Sequence, residues 1–233
     1  MRQEYPVLPV TSLVQGDWQM QIKCLAPEGI PYLIATAAVT LIVGLFNPWL
    51  LLPGGCLLLF FAFFFRDPPR QLTLRPDAWI SPADGRVMAV VPWQDPDPEQ
   101  PSQIKITIFL SVFNVHINRA PMDGILTQQV YRPGHFHPAF KPHVSELNEQ
   151  NRMAFRQHQL NFAVHQITGF LARRVVSDLQ VGDSVRQGQR IGMIKFGSCT
   201  ELLIPSGCDV LVKPGDKVIA GKTLLAASQS PAS

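Results

Sequence analysis

The feature that most restricts how this chain can fold is a run of residues, 29–65, that contains no charged side chain. A helix of about 20 apolar residues crosses a bilayer, so the run is long enough for two membrane segments. Turn-forming residues at 47–48 and 53–55 divide it. The run therefore predicts a membrane-embedded helical hairpin over residues 31–65, which either spans the bilayer as transmembrane helices or re-enters it.

Basic residues flank this run on both sides. They are Arg2, Lys23, Arg66, Arg70 and Arg75. Because basic residues prefer the cytoplasmic side of a membrane, both ends of the hairpin are expected there. Residues 1–30 are then an N-terminal tail. Residues 66–233 are expected to form a cytoplasmic domain held at the cell (inner) membrane.

Beyond residue 66 the sequence changes to short β-type runs that alternate with proline, glycine and aspartate. Strands are predicted at 85–91, 104–110, 124–131, 161–167 and 173–176. One helix is predicted at 145–156. The expected soluble domain is therefore mainly β (α+β). Its formal net charge of +3 comes from residues spread along the chain, which gives no support for nucleic-acid binding.

An internal repeat of the form G-D-x-V-x-x-G-x-x-[IL] occurs at 182–191 and at 215–224. In each copy the Gly-Asp pair predicts a tight turn and the valine a core position. The pair resembles the hammerhead elements of a barrel-sandwich hybrid, the fold of biotinyl and lipoyl carrier domains. Such carriers present a lysine between the two copies, whereas this chain has Gly197 and Ser198 there. A shared fold does not by itself assign a function.

Five sequence motifs follow one another in the soluble part of the chain. They are S-P-A-D-G-R-V at 81–87, F-L-S-V-F-N-V-H-I-N-R-A-P at 109–121, Y-R-P-G at 131–134, G-F-L-A-R-R-V-V at 169–176 and R-I-G-M-I-K-F-G-S-x-x-E-L-L-I-P at 190–205. Together they resemble the phosphatidylserine decarboxylase family, in the short form found in many prokaryotes. The resemblance runs from about residue 66 to residue 226, in the family's order.

That resemblance implies a zymogen that cuts itself between Gly197 and Ser198. The serine hydroxyl attacks the glycine carbonyl, and elimination followed by hydrolysis leaves a pyruvoyl group where Ser198 stood. The β chain would hold residues 1–197 and the α chain residues 198–233. The pyruvoyl group would accept the electrons released when phosphatidylserine loses carbon dioxide to become phosphatidylethanolamine, so neither pyridoxal phosphate nor a metal is expected.

The same resemblance gives roles to Asp84 and His116. The imidazole would accept the serine proton, and the carboxylate would fix its tautomer, as in hydrolase triads. Longer members of the family carry two histidines as H-x-x-H, whereas this chain has His116 and Arg119. Either His116 serves both cleavage and decarboxylation, or the proton donor of decarboxylation comes from elsewhere.

Three arginines are candidates for binding the phosphate or carboxylate of the substrate: Arg119, Arg173 and Arg174. A structural role for any of them is an equal alternative. Three histidines, His135, His137 and His143, lie in a proline-containing loop. This loop has no nearby cysteine or carboxylate, so we expect it at the mouth of the lipid site and not around a metal.

Two other functions stay open at this stage. The chain could be a non-enzymatic membrane adaptor whose Gly197 lies in an uncut turn, or a pyruvoyl enzyme that decarboxylates a free amino acid such as aspartate. Only a self-cleaving enzyme gives two chains on a gel. The membrane hairpin favours a lipid substrate, since a diacyl lipid leaves a bilayer only at high cost. The sequence leaves acyl-chain preference and homo-oligomer formation open.

Overall fold

Two apolar helices precede the β-strands of this protein. The computed structural model describes residues 24–94, 101–135, 137, 147–169, 174–195 and 198–228. Helix α1 covers Ile30–Phe46 and helix α2 covers Leu51–Phe64, and a 3-10 turn at Pro48–Leu50 joins them. The backbone N–H of Trp49 donates to Oδ1 of Asn47 at 3.1 Å, which closes this turn. The predicted helical hairpin is confirmed, with its bend slightly earlier than the sequence suggests.

The second turn signal, at residues 53–55, falls inside α2. Pro53 is tolerated there because the first turn of a helix does not need its N–H groups for intrahelical bonds. The segment Pro27–Phe46 is long and apolar enough to cross a membrane, with 20 residues and a mean hydropathy of 2.0. Leu45, Phe46 and Trp49 are more than four-fifths exposed. A bilayer would cover this apolar surface; whether α2 crosses it or re-enters it stays a prediction.

The rest of the described chain is mainly β. The strands are β1 (Ala78–Ile80), β2 (Gly85–Trp93), β3 (Gln103–Leu110), β4 (Ile117–Arg119), β5 (Gly124–Arg132), β6 (Gln150–Gln157), β7 (Leu160–Ile167), β8 (Arg174–Ser177), β9 (Ser184–Val185), β10 (Arg190–Lys195), β11 (Ser198–Pro205), β12 (Cys208–Val210), β13 (Lys217–Val218) and β14 (Leu224–Ser228). All five predicted strands are present within a few residues of their expected bounds.

Eight strands form one curled sheet in the order β13-β2-β3-β11-β7-β6-β5-β9. Two three-stranded sheets, β1-β14-β12 and β4-β10-β8, accompany it. Every described pairing between these strands is antiparallel. The main apolar cluster, which includes Trp79, Phe155 and Phe162, packs against one face of this curled sheet.

The predicted helix at 145–156 is wrong. Residues 145–146 lie outside the described part, and β6 occupies Gln150–Gln157, paired on both sides with β5 and β7. Met153 and Phe155 are buried while Arg152 and Ala154 are less so, which is the two-residue alternation of a half-buried strand. This alternation does not match the 3.6-residue period of a helix, and pairing with two neighbouring strands agrees with it.

Both copies of the repeat adopt the same turn. Gly182 and Gly215 have φ angles of 100° and 99°, in the left-handed region that favours glycine. The aspartate that follows each glycine accepts a hydrogen bond from the backbone N–H three residues before it, at 2.8 Å in one copy and 2.9 Å in the other. β9 and β13 then lie at opposite edges of the curled sheet. The predicted turns and the buried valines are confirmed.

The segment 66–77, which we call the connecting segment, joins the hairpin to the sheets. Its Leu72 side chain packs against both Gly188 and Gly221, the second glycines of the two repeat copies. The backbone N–H of Thr73 donates to the carbonyl of Gly221 at 3.0 Å, and that of Arg75 donates to Oε1 of Gln187 at 2.7 Å. The connecting segment therefore ties the two copies of the repeat together.

The base of the hairpin is packed into the β domain. Phe64 and Phe65 are fully buried in a small apolar cluster, whose other buried members are Ala26, Val115, Ile117 and Met193. The predicted domain boundary at 65/66 thus runs through a set of contacting side chains. That residues 66–233 fold by themselves stays a prediction.

Candidate active site

Ser198 is the first residue of β11 and lies where the chain changes sheets. β10 ends at Lys195 in one three-stranded sheet, and β11 continues in the centre of the curled sheet between β3 and β7. Residues 196–197, which include the predicted cleavage partner Gly197, lie outside the described part. The Ser198 side chain is fully buried.

The Ser198 hydroxyl has no hydrogen-bond partner among the described residues. Leaving a buried hydroxyl unpaired costs about 1–3 kcal/mol, and native structures keep few such groups. No bond to a described neighbour would have to break before Oγ could attack an adjacent carbonyl. No described residue, His116 included, hydrogen-bonds to this oxygen, so the predicted attack requires a base to come within reach of it.

His116 lies just before β4 and is fully buried. Its Nδ1 is 2.9 Å from the carbonyl oxygen of Asn114. Since a carbonyl oxygen only accepts, Nδ1 carries the proton, and the neutral ring then has its lone pair on Nε2. The backbone carbonyl of His116 accepts from the N–H of Ile194 at 3.1 Å, which fixes the histidine beside β10.

The pKa of His116 is lowered to about 4, chiefly by burial and also by the positive charge of Arg66, against the opposing effect of the Asn114 carbonyl. The imidazole is therefore neutral at pH 7 and able to accept a proton. Because this pKa lies below the ordinary value of about 6.5, the neutral buried ring stabilises the fold fully above that pH. This contribution is lost as the pH falls towards 4.

Asp84 sits in the turn before β2, held on both carboxylate oxygens. Oδ1 accepts from the backbone N–H of Ala220 at 2.8 Å, and Oδ2 accepts from Nη2 of Arg70 at 2.7 Å. Arg66 interacts electrostatically with both Asp84 and His116, so these three side chains share one region. The tautomer of His116 is set here by the Asn114 carbonyl. That Asp84 orients the histidine stays a prediction.

Asn118 links the elements around the site, and sequence reasoning did not single it out. Its Nδ2 donates to Oγ1 of Thr200 at 3.0 Å and to the carbonyl of Pro82 at 3.3 Å. Its Oδ1 accepts from Nε2 of Gln166 at 2.9 Å. Side chains two residues apart on a strand share a face, so Ser198 points to the same side as Thr200. The available signal was its place two residues after His116 in the same motif, while its complete burial is seen only in the structure.

Of the three candidate substrate arginines, the structure describes the side chain of Arg119. Its Nη2 donates to Oδ1 of Asp67 at 3.0 Å, and its Nη1 donates to the carbonyl of Gly188 at 3.1 Å. It also lines a cavity of about 590 Å³ with Leu72, Leu74 and other residues. Arg173 lies outside the described part, and Arg174 is described only as backbone in β8.

The predicted histidine loop is only partly described. The rings of His135 and His137 lie 5.5 Å apart, centroid to centroid. His143 falls outside the described residues. The expectations that this loop borders the lipid site and binds no metal therefore stay predictions.

A second buried polar group lies on the other face of β11, and sequence reasoning missed it. Glu201 is 3.4 Å from Nδ1 of His165 and 3.4 Å from Nζ of Lys105. Burial lowers the pKa of His165, against the effect of Glu201. Because Glu201 is an odd number of residues from Ser198, it faces away from the candidate site. This group therefore lies on the face of β11 opposite to Ser198 and to Leu202 and Ile204 of the main apolar cluster.

Sequence comparison finds known proteins that are similar to this chain over most of its length. The sequence model of the family described as phosphatidylserine decarboxylase matches residues 57–226. The chain is 46% identical over 199 residues to a phosphatidylserine decarboxylase proenzyme of Carboxydothermus hydrogenoformans, covering 85% of this chain and 93% of that one. It is 42% identical over 212 residues to the proenzyme of Symbiobacterium thermophilum, covering 88% and 96%. The proenzyme of Beijerinckia indica is 40% identical over 221 residues, covering 91% and 93%.

Proposed function

Because this chain belongs to the phosphatidylserine decarboxylase family of enzymes, we propose that it decarboxylates phosphatidylserine through a pyruvoyl group formed from its own Ser198. The relatives are named proenzymes, which agrees with activation by cleavage of a precursor. The observation that carries the proposal is the buried, unpartnered hydroxyl of Ser198 at the change of sheets.

In the proposed cleavage, Oγ of Ser198 attacks the carbonyl carbon of Gly197 and its proton passes to a base. The peptide nitrogen then leaves that carbon, so an ester replaces the amide. Removal of the α-proton of Ser198 expels the Gly197 carboxylate, and the resulting dehydroalanine takes up water and releases ammonia. Position 198 keeps a ketone that serves as an electron sink during decarboxylation.

We assign the base to His116. A general base has to be unprotonated at the working pH, and burial keeps this imidazole neutral. The hydrogen bond from Nδ1 to Asn114 leaves Nε2 as the basic atom. Asp84, beside Arg70 and within the field of Arg66, would shape the electrostatics of the same region.

The substrate is proposed to reach the site from the bilayer. The helices that carry exposed apolar side chains end at Phe64, which contacts His116 with ring centroids 4.4 Å apart. Arg119 lies near the start of the connecting segment and is proposed to contact the phosphate or carboxylate of the lipid. This arrangement favours the cell membrane as the location, with the β domain on its cytoplasmic side.

Mass spectrometry of the purified protein is expected to show two chains. One holds residues 1–197, and the other begins at position 198 and is lighter than its encoded sequence by one ammonia. Treatment with borohydride is expected to add two hydrogens to the smaller chain, because a ketone is reduced by it.

A single intact chain that still releases carbon dioxide from phosphatidylserine would contradict the proposal. A single chain without activity would favour the membrane adaptor. Release of carbon dioxide from free aspartate, histidine or S-adenosylmethionine at rates matching the lipid would favour the other pyruvoyl enzymes.

Deleting residues 1–65 is expected to leave a β domain that still cuts itself at neutral pH. The repeat and the candidate residues Ser198, His116 and Asp84 all lie beyond residue 65. Turnover of phosphatidylserine in vesicles is expected to fall strongly, while turnover of a short-chain phosphatidylserine in detergent is expected to be retained. Failure of the shortened chain to cut itself at pH 7.5 would show that the hairpin belongs to the folding core.

A further inference from the structure

The last turn of α2 forms one side of the His116 environment. Phe64 and Phe65 are both fully buried, and the Phe64 ring lies over His116 with centroids 4.4 Å apart and planes 36° apart. Val115 and Ile117, the chain neighbours of His116, belong to the same apolar cluster. A residue of the membrane hairpin is thus in direct contact with the candidate base.

The end of α2 also positions the charged group whose field lowers the pKa of His116. The guanidinium of Arg66 lies 3.8 Å from the ring centroid of Phe63, and it donates to the carbonyls of Phe63 and Phe113 at 2.7 Å each. Asp84 and Arg70 act in turn on Arg66. The pKa of His116 also depends on its burial, which lowers it most, and on the Asn114 carbonyl, which raises it. Removing the Phe64 ring would admit water to the imidazole while leaving Arg66 and Asn114 in the sequence.

We propose that Phe64 is a positioning residue of the active site: its ring holds His116 in orientation and excludes water from it, so the membrane hairpin forms a wall of the catalytic centre. This inference rests on the proposed function, since His116 acts as a base only in that scheme. An aromatic ring packed at this distance, although tilted by 36°, restricts how far the imidazole can turn. Without that contact, the protonated form of His116 would be solvated and the base would be lost in mild acid.

The test uses the full-length chain with Phe64→Ala, Phe64→Leu and the matched control Phe46→Ala. Phe46 is the last residue of α1, in the same hairpin, and is 86% exposed. Each chain is made by cell-free synthesis with phosphatidylserine-containing vesicles at pH 7.5. Synthesis is then stopped, the pH is set between 4.5 and 8, and cleavage of the labelled chain is followed on a denaturing gel.

Phe64→Ala is expected to cleave normally at pH 7.5 and about tenfold more slowly at pH 5.5, which is the loss of neutral imidazole when its pKa returns to about 6.5. Phe64→Leu is expected to keep most of the wild-type profile, and Phe46→Ala all of it. A second readout is the pH midpoint at which diethylpyrocarbonate modifies His116, located by mass spectrometry. That midpoint is expected to move upward in Phe64→Ala alone.

Two results would overturn the inference. A Phe64→Ala profile and midpoint equal to those of the wild type would show that the ring does not act on His116. A reduction by the same factor at every pH would show a structural role only. Failure of the wild type to cleave would instead count against the proposed function, and the diethylpyrocarbonate midpoint would still decide whether Phe64 shields the histidine. If Phe64→Ala gives no folded chain, Phe64→Val takes its place with the same criteria.

Discussion

Ser198→Ala is expected to yield one uncut chain that releases no carbon dioxide from phosphatidylserine. The substitution removes both the attacking oxygen and the atoms from which the ketone is made, so no slower route to the active form remains. The fold is expected to survive, because β11 keeps its backbone pairing with β3 and β7. Removing an unpartnered buried hydroxyl also relieves a desolvation cost. A denaturing gel and a carbon dioxide assay on vesicles measure the two effects.

The matched control is Ser102→Ala. Ser102 is exposed, and its hydroxyl bonds to that of Ser206, far from β10 and at the other end of β11. This variant is expected to cleave and to turn over lipid as the wild type does. Appearance of the 36-residue fragment in Ser198→Ala would place the cut or its nucleophile elsewhere.

His116→Ala is expected to slow self-cleavage by about 10²–10⁴-fold, the usual contribution of a general base. His116 is buried with a lowered pKa and a lone pair on Nε2, so its loss removes the assigned proton acceptor. The full-length chain should then accumulate on a gel at every pH from 5 to 8. His165→Gln is the matched control: His165 is also buried, but it bonds to Glu201 on the opposite face of β11. That control is expected to cleave normally.

Two further variants test how Asp84 contributes to cleavage: through its own carboxylate or through its ion pair with Arg70. Asp84→Asn is expected to slow cleavage while the fold persists, and Arg70→Met removes the same ion pair without changing the carboxylate. Equal effects of these two variants would assign the role of Asp84 to its pair with Arg70.

Arg119→Ala is expected to keep cleavage and weaken lipid turnover. Normal processing of His116→Ala would refute the assigned base and direct attention to the loop of His135 and His137.

Local patterns in the sequence were enough to predict most of the secondary structure. The run 29–65 has no charged side chain and a turn signal at 47–48, and the two helices joined by a turn are as predicted; their insertion in a membrane stays a prediction. The glycines of the repeat require conformations that few other residues adopt, and both turns are as predicted. The helix at 145–156 was wrong: Met153 and Phe155 are two residues apart, which is the spacing of one strand face, and the pairing that confirms a strand is not visible in a local window.

Contacts between distant residues could not be predicted. The pairs of Arg70 with Asp84 and of Asp67 with Arg119 join segments that the sequence separates, and charges spread along the chain offer many alternative pairs. In the same way, the phenylalanines at 60–65 all suit a bilayer. Their sequence does not show that Phe64 faces His116 while Phe63 stays 44% exposed. These contacts depend on how the base of the hairpin packs against the β domain.

The predicted cut falls between strands that are interleaved. β11 lies between β3 and β7, β13 pairs with β2, and β14 pairs with β1. The piece after residue 197 thus contributes β11 and β13 to the curled sheet, and β12 and β14 to a sheet that the longer piece completes with β1. The uncut precursor folds as one molecule, at a rate independent of its concentration. Once cut and denatured, the two pieces must meet again, so recovery becomes second-order and competes with aggregation. The mature protein would then persist through slow unfolding rather than through its ability to refold.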